Sequence, residues 1–208
     1  LNRYMLRNPF LDGLQERERA LQDVFILQKK SLLKRLQSAK IKNIVLGLSG
    51  GLDSTLAALV AVDLAHDYEW INLNFVSMPC FGTSEQTKGN ARLLTDALGV
   101  KLKEVDIKLA ANMQMQLIEH DTHGDVTYEN VQARQRTAIL LNMANKYSGL
   151  VLGTADLSET ALGFCTYGGD HLSMYNIKAS IPKTVIREIV AWWGKNSKNT
   201  AAEKAGVL

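Results

Sequence analysis

A short apolar strand that runs straight into a serine–glycine turn and then a helix constrains this chain more than any other feature. Residues 43–48 read Asn-Ile-Val-Leu-Gly-Leu, and Ser49-Gly50-Gly51-Leu52-Asp53-Ser54-Thr55 leads into an alanine- and leucine-rich helix expected over 54–66. Paired glycines let the backbone turn its N–H groups inward, and the helix N-terminus adds partial positive charge. Strand, glycine loop and helix together make an anion site suited to phosphate. Two familiar phosphate loops fail on spacing. A Walker loop needs a lysine just before its Ser/Thr, where Asp53 stands, and the dinucleotide fingerprint needs a second glycine where Ser49 stands. A carboxylate in a phosphate cradle repels its ligand unless a cation intervenes. Asp53 therefore implies Mg²⁺, which favours one or two carboxylates alongside phosphate oxygens. The simpler alternative is a plain strand-to-helix turn, with Asp53 favoured by the helix dipole.

Around this loop, apolar runs alternate with helical periods. Strands are expected over 70–77, 101–107 and 150–153, and helices over 85–98, 130–147 and 183–193. That alternation predicts an α/β fold, a parallel twisted sheet with helices on both faces. Ligands in such sheets lie beyond the carboxyl ends of the strands, so the site belongs just after Leu48, Ser77 and Gly153. Thr83 and Gln86 have capping-box spacing, Gly99 and Gly149 mark helix ends, and 162–182 is the longest stretch without helical pattern. Ahead of the sheet, 14–39 reads as one amphipathic helix carrying Leu21, Val24, Phe25, Gln28, Leu32 and Leu36 at three- and four-residue steps. Its outer lysines and arginine (Lys29, Lys30, Lys34, Arg35) suit a solvated face. Residues 1–40 are expected to be a linker or helical arm and 41–208 the nucleotide-binding domain, and the start at Leu1 suggests a piece of a longer protein.

Composition narrows the class. With 208 residues, 46% hydrophobic and 22% charged, the chain is neither collagen-like, a disulfide scaffold nor disordered. Its longest apolar run, 56–62, is far short of the ~20 residues of a membrane helix, and Arg3, Arg7 and Asp12 interrupt any secretory signal. Two cysteines, Cys80 and Cys165, without a CxxC pair fit a reducing, cytoplasmic setting. A net charge of +3 is too weak to argue for nucleic acid.

The segment SGGLDS resembles the pyrophosphate loop of the PP-loop ATP pyrophosphatases, whose fold is adenine nucleotide alpha-hydrolase-like and which cleave ATP between the α- and β-phosphates. Five further stretches select one branch: Met78-Pro79-Cys80-Phe81-Gly82-Thr83 followed by Thr87 and Asn90-Ala91, then Glu129–Thr137 (ENVQARQRT), Leu152–Glu159 (LGTADLSE), Ala161–Asp170 (ALGFCTYGGD) and Ile181-Pro182-Lys183-Thr184. In this order they resemble the NAD synthetases, specifically the synthetase part of the long, glutamine-dependent branch. The resemblance implies ATP-dependent amidation of deamido-NAD with ammonia, ATP and Mg²⁺ as co-substrate and ion, and a glutaminase domain outside these residues. It also implies a homo-oligomer, and no nucleic-acid or membrane partner. It assigns ATP to Gly47, Leu48, Ser49, Gly50, Gly51, Leu52, Asp53, Ser54, Met78, Thr154 and Lys183. Deamido-NAD falls to Asn130, Arg134, Glu159, Phe164, Thr166, Tyr167 and Asp170, the metal to Asp53 and Glu159, and catalysis to Asp53, Glu159 and Lys183.

Several of these residues have plainer alternatives. Arg134 and Arg136 sit two apart on a helix, roughly 200° around, and cannot both face one ligand, whereas Asn130 and Arg134 share a face. Asp156-Leu157-Ser158-Glu159 is spaced as a capping box, which would occupy the Glu159 carboxylate structurally. Lys183 at a helix start is awkward for the dipole but comfortable beside phosphate. Thr154 could simply shape a turn, and Phe164, Thr166 and Tyr167 could pack a loop. His120 and His123 have HxxH spacing without further ligands to make a zinc site. Cys80 stands where the family more usually has glycine, and Met113 and Met115 read as loose packing. A tRNA-modifying PP-loop enzyme and a non-catalytic adenine-nucleotide module remain as alternatives.

Overall fold

The computed structural model describes residues 8–11 and 15–196. Its order is α1 (Arg17–Ala39), β1 (Asn43–Gly47), α2 (Leu52–Asp67), β2 (Asn72–Ser77), α3 (Glu85–Ala97), β3 (Leu102–Glu104), α4 (Lys108–Leu117), α5 (Val126–Tyr147), β4 (Gly149–Gly153), α6 (Leu157–Leu162), β5 (Tyr175–Asn176) and α7 (Lys183–Asn196). The five strands are all parallel, in the order β3-β2-β1-β4-β5. Chain order reverses between β1 and β4. The α/β sheet expected from the alternation is therefore observed, and its switch point lies beyond Gly47 and Gly153.

Alternate side chains of the central strands feed two cores, as the two-residue period of a strand requires. Ile44, Leu46, Phe75, Leu150 and Leu152 point to one face, against α2, α3, α7 and α1. Val45, Val76 and Val151 point to the other, against α4 and α5. The N-terminal helix buries the expected stripe of Leu21, Phe25, Gln28, Leu32 and Leu36, and these apolar residues share one core with α2 and α7. Lys29, expected to be solvated, instead reaches Asp63 and Asp67 on α2, at 2.5 and 2.6 Å. Leu36 is fully buried, so Leu36→Ala is expected to cost about 2–5 kcal/mol of unfolding free energy. A urea titration showing a loss below 1 kcal/mol would detach α1 from the core.

Several element boundaries differ from expectation for local reasons. Helix α3 is capped by Ser84, which accepts from Thr87 N, while Thr83 Oγ1 instead accepts from Cys80 N. Helix α5 starts four residues early because Asp125 caps it, and ends on Ser148 in the left-handed conformation rather than on Gly149. The first residue of β4 is Gly149, where a Cβ would lie 2.8 Å from the Asn43 carbonyl. Helix α4 had no clear pattern in the sequence, yet Met115 is buried on its inner side while Met113 is exposed. Within 162–182 lies the two-residue edge strand β5, too short to announce itself.

Candidate active site

The loop between β1 and α2 is held by its own side chains. Ser49 Oγ accepts from Gly51 N at 3.2 Å and lies 3.1 Å from Ser54 Oγ, which donates to Gly51 O at 3.0 Å. Gly51 is the N-cap of α2 and supplies no capping side chain. The N–H groups of Leu52, Asp53 and Ser54 therefore lack intrahelical partners, as the first turn of any helix does, and are available to an anion. Gly50 has φ +78°, and a Cβ there would sit 2.6 Å from the Thr87 carbonyl oxygen of α3. Both conditions require glycine.

A cleft of about 630 Å³ opens beyond the carboxyl ends of β1, β2 and β4. That volume lies within the usual range for a small-ligand site. Of the residues expected at the site, Gly47, Leu48, Ser49, Gly51, Asp53, Ser54, Met78, Thr154, Glu159 and Asp170 line it. Gly50, Leu52, Asn130, Thr166 and Lys183 are not among its lining residues. Cleft residues absent from the expectation include Gln132, buried on α5, and Arg136, whose Nε donates to Met78 O at 3.1 Å. Burial lowers the Arg136 pKa. Arg134 points elsewhere, donating to Tyr167 O at 3.0 Å, so the two arginines do part company.

At the α2 end of the cleft, three carboxylates converge. Oxygens of Asp53, Asp156 and Glu159 all lie within 4.8 Å of one another. The capping box and the acidic site, which looked like alternatives, coexist. Asp156 Oδ1 accepts from Glu159 N at 2.8 Å and Glu159 Oε2 from Asp156 N at 3.1 Å, which leaves Asp156 Oδ2 and Glu159 Oε1 facing inward.

Two lysines balance them. Lys183 Nζ sits among all three acids: hydrogen-bonded to Asp53 Oδ2, 2.9 Å from Asp156 Oδ2 and 3.4 Å from Glu159 Oε1. The Asp156 contact is an ion pair rather than a hydrogen bond. Lys178 Nζ donates to Asp53 Oδ1 at 2.9 Å. Burial opposes the charge of Lys183, but its hydrogen bond to Asp53 and the adjoining negative charges of Asp156 and Glu159 outweigh that and raise its pKa. For Lys178 burial wins and the pKa falls. Burial works against ionised Asp156, yet the Glu159 N–H and Lys183 hold its pKa below the ordinary value. Asp156 and Lys178 had no place in the expected site. Asp156 was visible only as a cap, and nothing local marks Lys178, whose partner is 125 residues away in sequence.

A hard, oxygen-seeking cation fits this donor set. Three inward-facing carboxylates offer the ligands Mg²⁺ prefers, and an ammonium already lies at their centre.

The opposite wall is a loop tied to α5. Thr166 Oγ1 donates to Asn130 Oδ1 at 2.8 Å, and Asp170 Oδ1 accepts from Thr166 N at 2.7 Å. Phe164 and Tyr167 are 78% and 86% exposed on this loop. They stand at the surface, as does Arg134, outside the cleft lining. His120 Nε2 lies 3.1 Å from Asp125 Oδ1, and His123 meets the Tyr128 ring edge-on, so each histidine has a structural partner.

The NAD synthase family model matches residues 25–199, the whole sheet with both walls of the cleft. The chain belongs to the NAD synthase family. Among curated relatives, the glutamine-dependent NAD(+) synthetase of Mycobacterium leprae is 40% identical over 202 residues, covering 92% of this chain and 30% of that protein. That of Rhodobacter capsulatus is 35% identical, covering 76% of this chain and 28% of that protein. The chain thus spans about 30% of the length of the M. leprae relative. Among solved structures, a glutamine-dependent NAD+ synthetase from Acinetobacter baumannii in complex with ADP superposes with a TM-score of 0.80 at 27% identity, over 89% of this chain and 35% of that one. An NH3-dependent NAD synthetase from Campylobacter jejuni shares the fold, with a TM-score of 0.76 at 24% identity over 88% of this chain and 77% of that one. Among the described residues, no helix is long and apolar enough to cross a membrane.

Proposed function

We propose that the chain performs the synthetase half-reaction of a glutamine-dependent NAD(+) synthetase, the ATP-dependent amidation of deamido-NAD. The observation that carries this reading is the placement of the uncapped α2 N-terminus beside the Asp53–Asp156–Glu159 cluster, at the switch point of a NAD synthase sheet.

A carboxylate is a poor acyl donor until its oxygen is esterified. In the proposed sequence, the nicotinate carboxylate attacks the α-phosphate of ATP. The bond to the β-phosphate breaks, pyrophosphate leaves and an acyl-adenylate remains. Ammonia then adds to the activated carbonyl, AMP departs and a proton goes to solvent. Two anions must meet in the first step, so the protein's contribution is alignment and charge neutralisation. The N–H groups of 52–54 hold the departing diphosphate. Lys183, on a partly exposed stem, turns from the carboxylates to the phosphate oxygens as charge builds there. Asp53 and Glu159, together with Asp156, would hold Mg²⁺, which would supply further neutralisation of phosphate charge. Met78 and Thr154 flank the ATP portion of the cleft. Asn130, Arg134 and Asp170 brace the 163–172 loop, from which Phe164, Thr166 and Tyr167 would meet the nicotinate end of the dinucleotide. Neither cysteine is needed: Cys80 is buried, and burial raises its thiol pKa away from nucleophilic use.

Pyrophosphate release from ATP and Mg²⁺ is the test. With ammonium chloride, release is expected to depend on deamido-NAD and to yield NAD one for one. Glutamine is expected not to replace ammonium for these 208 residues alone. Release supported by tRNA, or no release with deamido-NAD, would overturn the reading.

A further inference from the structure

The two lysines at the carboxylate cluster are not equivalent. Lys183 sits where a cation would sit, on the inward oxygens of all three acids, and its side chain is 39% exposed, so it can leave. Lys178 has a side-chain exposure of 0% and cannot. Its segment is pinned at several points. Asn176 Nδ2 donates to Ala155 O at 2.8 Å, Lys178 N donates to Asn176 Oδ1 at 3.1 Å, and the preceding Ile177 carbonyl accepts from Gln28 of α1. The ammonium is thereby delivered to the Asp53 oxygen facing away from Lys183.

Resting on the proposed metal site, we propose that Lys178 is a positioning residue acting through Asp53: a permanent internal counter-ion on Oδ1 that turns Oδ2 toward the cluster and occupies the place a second divalent cation would take. Three carboxylates against two ammonium groups leave one net negative charge. When Lys183 swings out, two remain, matched to one divalent ion. Without Lys178 the cluster would carry three, and would hold a divalent ion far more tightly than turnover needs. The fixed lysine thus sets the site for one exchangeable metal.

Mn²⁺ binding to the nucleotide-free chain, followed by the loss of the free-ion electron paramagnetic signal, reads this without reference to catalysis. Lys178→Gln keeps a donor to Asp53 but not the charge, and is expected to bind Mn²⁺ at least tenfold more tightly than the unsubstituted protein. Lys178→Arg, which keeps the charge, is expected to stay within about threefold. The melting temperature of Lys178→Gln is expected to fall in EDTA and to recover in Mg²⁺, a rescue that a purely structural role would not give. Unchanged Mn²⁺ affinity in Lys178→Gln, or equal tightening in Lys178→Arg, overturns the proposal while leaving the metal site intact. Equal Mn²⁺ binding by Asp53→Asn and the unsubstituted protein overturns the metal site and this proposal together. If Lys178→Gln does not fold even with Mg²⁺, the counter-ion role is overturned in favour of a structural one.

Discussion

Asp53→Asn is expected to lower the rate of NAD formation 10²–10³-fold, a loss of roughly 3–4 kcal/mol in transition-state stabilisation. The substitution is nearly isosteric, keeps the α2 backbone and leaves an amide oxygen able to accept from one lysine. What it removes is charge at the junction of three functions. Asp53 is a first-turn residue of the helix that would hold diphosphate, a member of the three-carboxylate cluster, and the shared partner of Lys178 and Lys183. Without it, Lys183 keeps Asp156 and Glu159 and stays drawn into the cluster, while Lys178 becomes a buried ammonium facing an amide. The second effect is one of stability, since breaking a buried pair by removing one partner costs about 3–5 kcal/mol at its upper range. Rates are therefore to be compared well below the variant's own melting temperature. Activity within tenfold of the unsubstituted protein under those conditions would remove Asp53 from the mechanism.

How much of this site could be read in the sequence depends on whether each contact is local. The phosphate loop could be: a strand, three small residues and a helix within nine positions fix both the turn and the direction of its N–H groups. The capping box was equally visible, because Asp156 and Glu159 lie three apart. Spacing could not show that each acid uses one oxygen for the cap and turns the other inward, so the box and the acidic site looked like rivals. Lys178 was illegible for a different reason. It follows a two-residue strand in the stretch without helical pattern, and its meaning comes only from Asp53 and from the anchoring of its segment by Gln28 and Ala155. The strand–helix alternation gave the parallel sheet, but not α4, whose exposed Leu109, Met113 and Leu117 hide the buried Ala111 and Met115 that define its inner side. Arg136 could be separated from Arg134 by helical angle alone, yet which of them faces the cleft depends on where α5 sits against β1 and β4.

Gly50→Ala is expected to be the most damaging glycine-to-alanine change among the described glycines whose added Cβ would meet backbone atoms. The left-handed backbone at φ +78° costs an alanine about 1–2 kcal/mol. The added carbon would meet the Thr87 carbonyl at 2.6 Å, Asn90 Cβ at 3.0 Å and Ala91 N at 3.1 Å. Two of those atoms are backbone of α3 and cannot rotate away, so either the loop or the helix must move. Overpacking of this kind costs typically ~1–3 kcal/mol, which makes a combined destabilisation of about 2–5 kcal/mol. Displacement of the loop also moves the donors at 52–54 off the diphosphate, and kcat/KM for ATP is expected to fall at least tenfold. Gly89→Ala is the matched control. It lies in the same α3, has nothing within 4 Å of the added Cβ, and should gain up to about 1 kcal/mol from helix propensity without changing ATP kinetics. If Gly50→Ala kept both its unfolding midpoint and its ATP kinetics, the tight turn against α3 would not be what shapes the anion cradle. The remaining determinant would then be the serine pair at 49 and 54, whose hydroxyls lie 3.1 Å apart across the same bend.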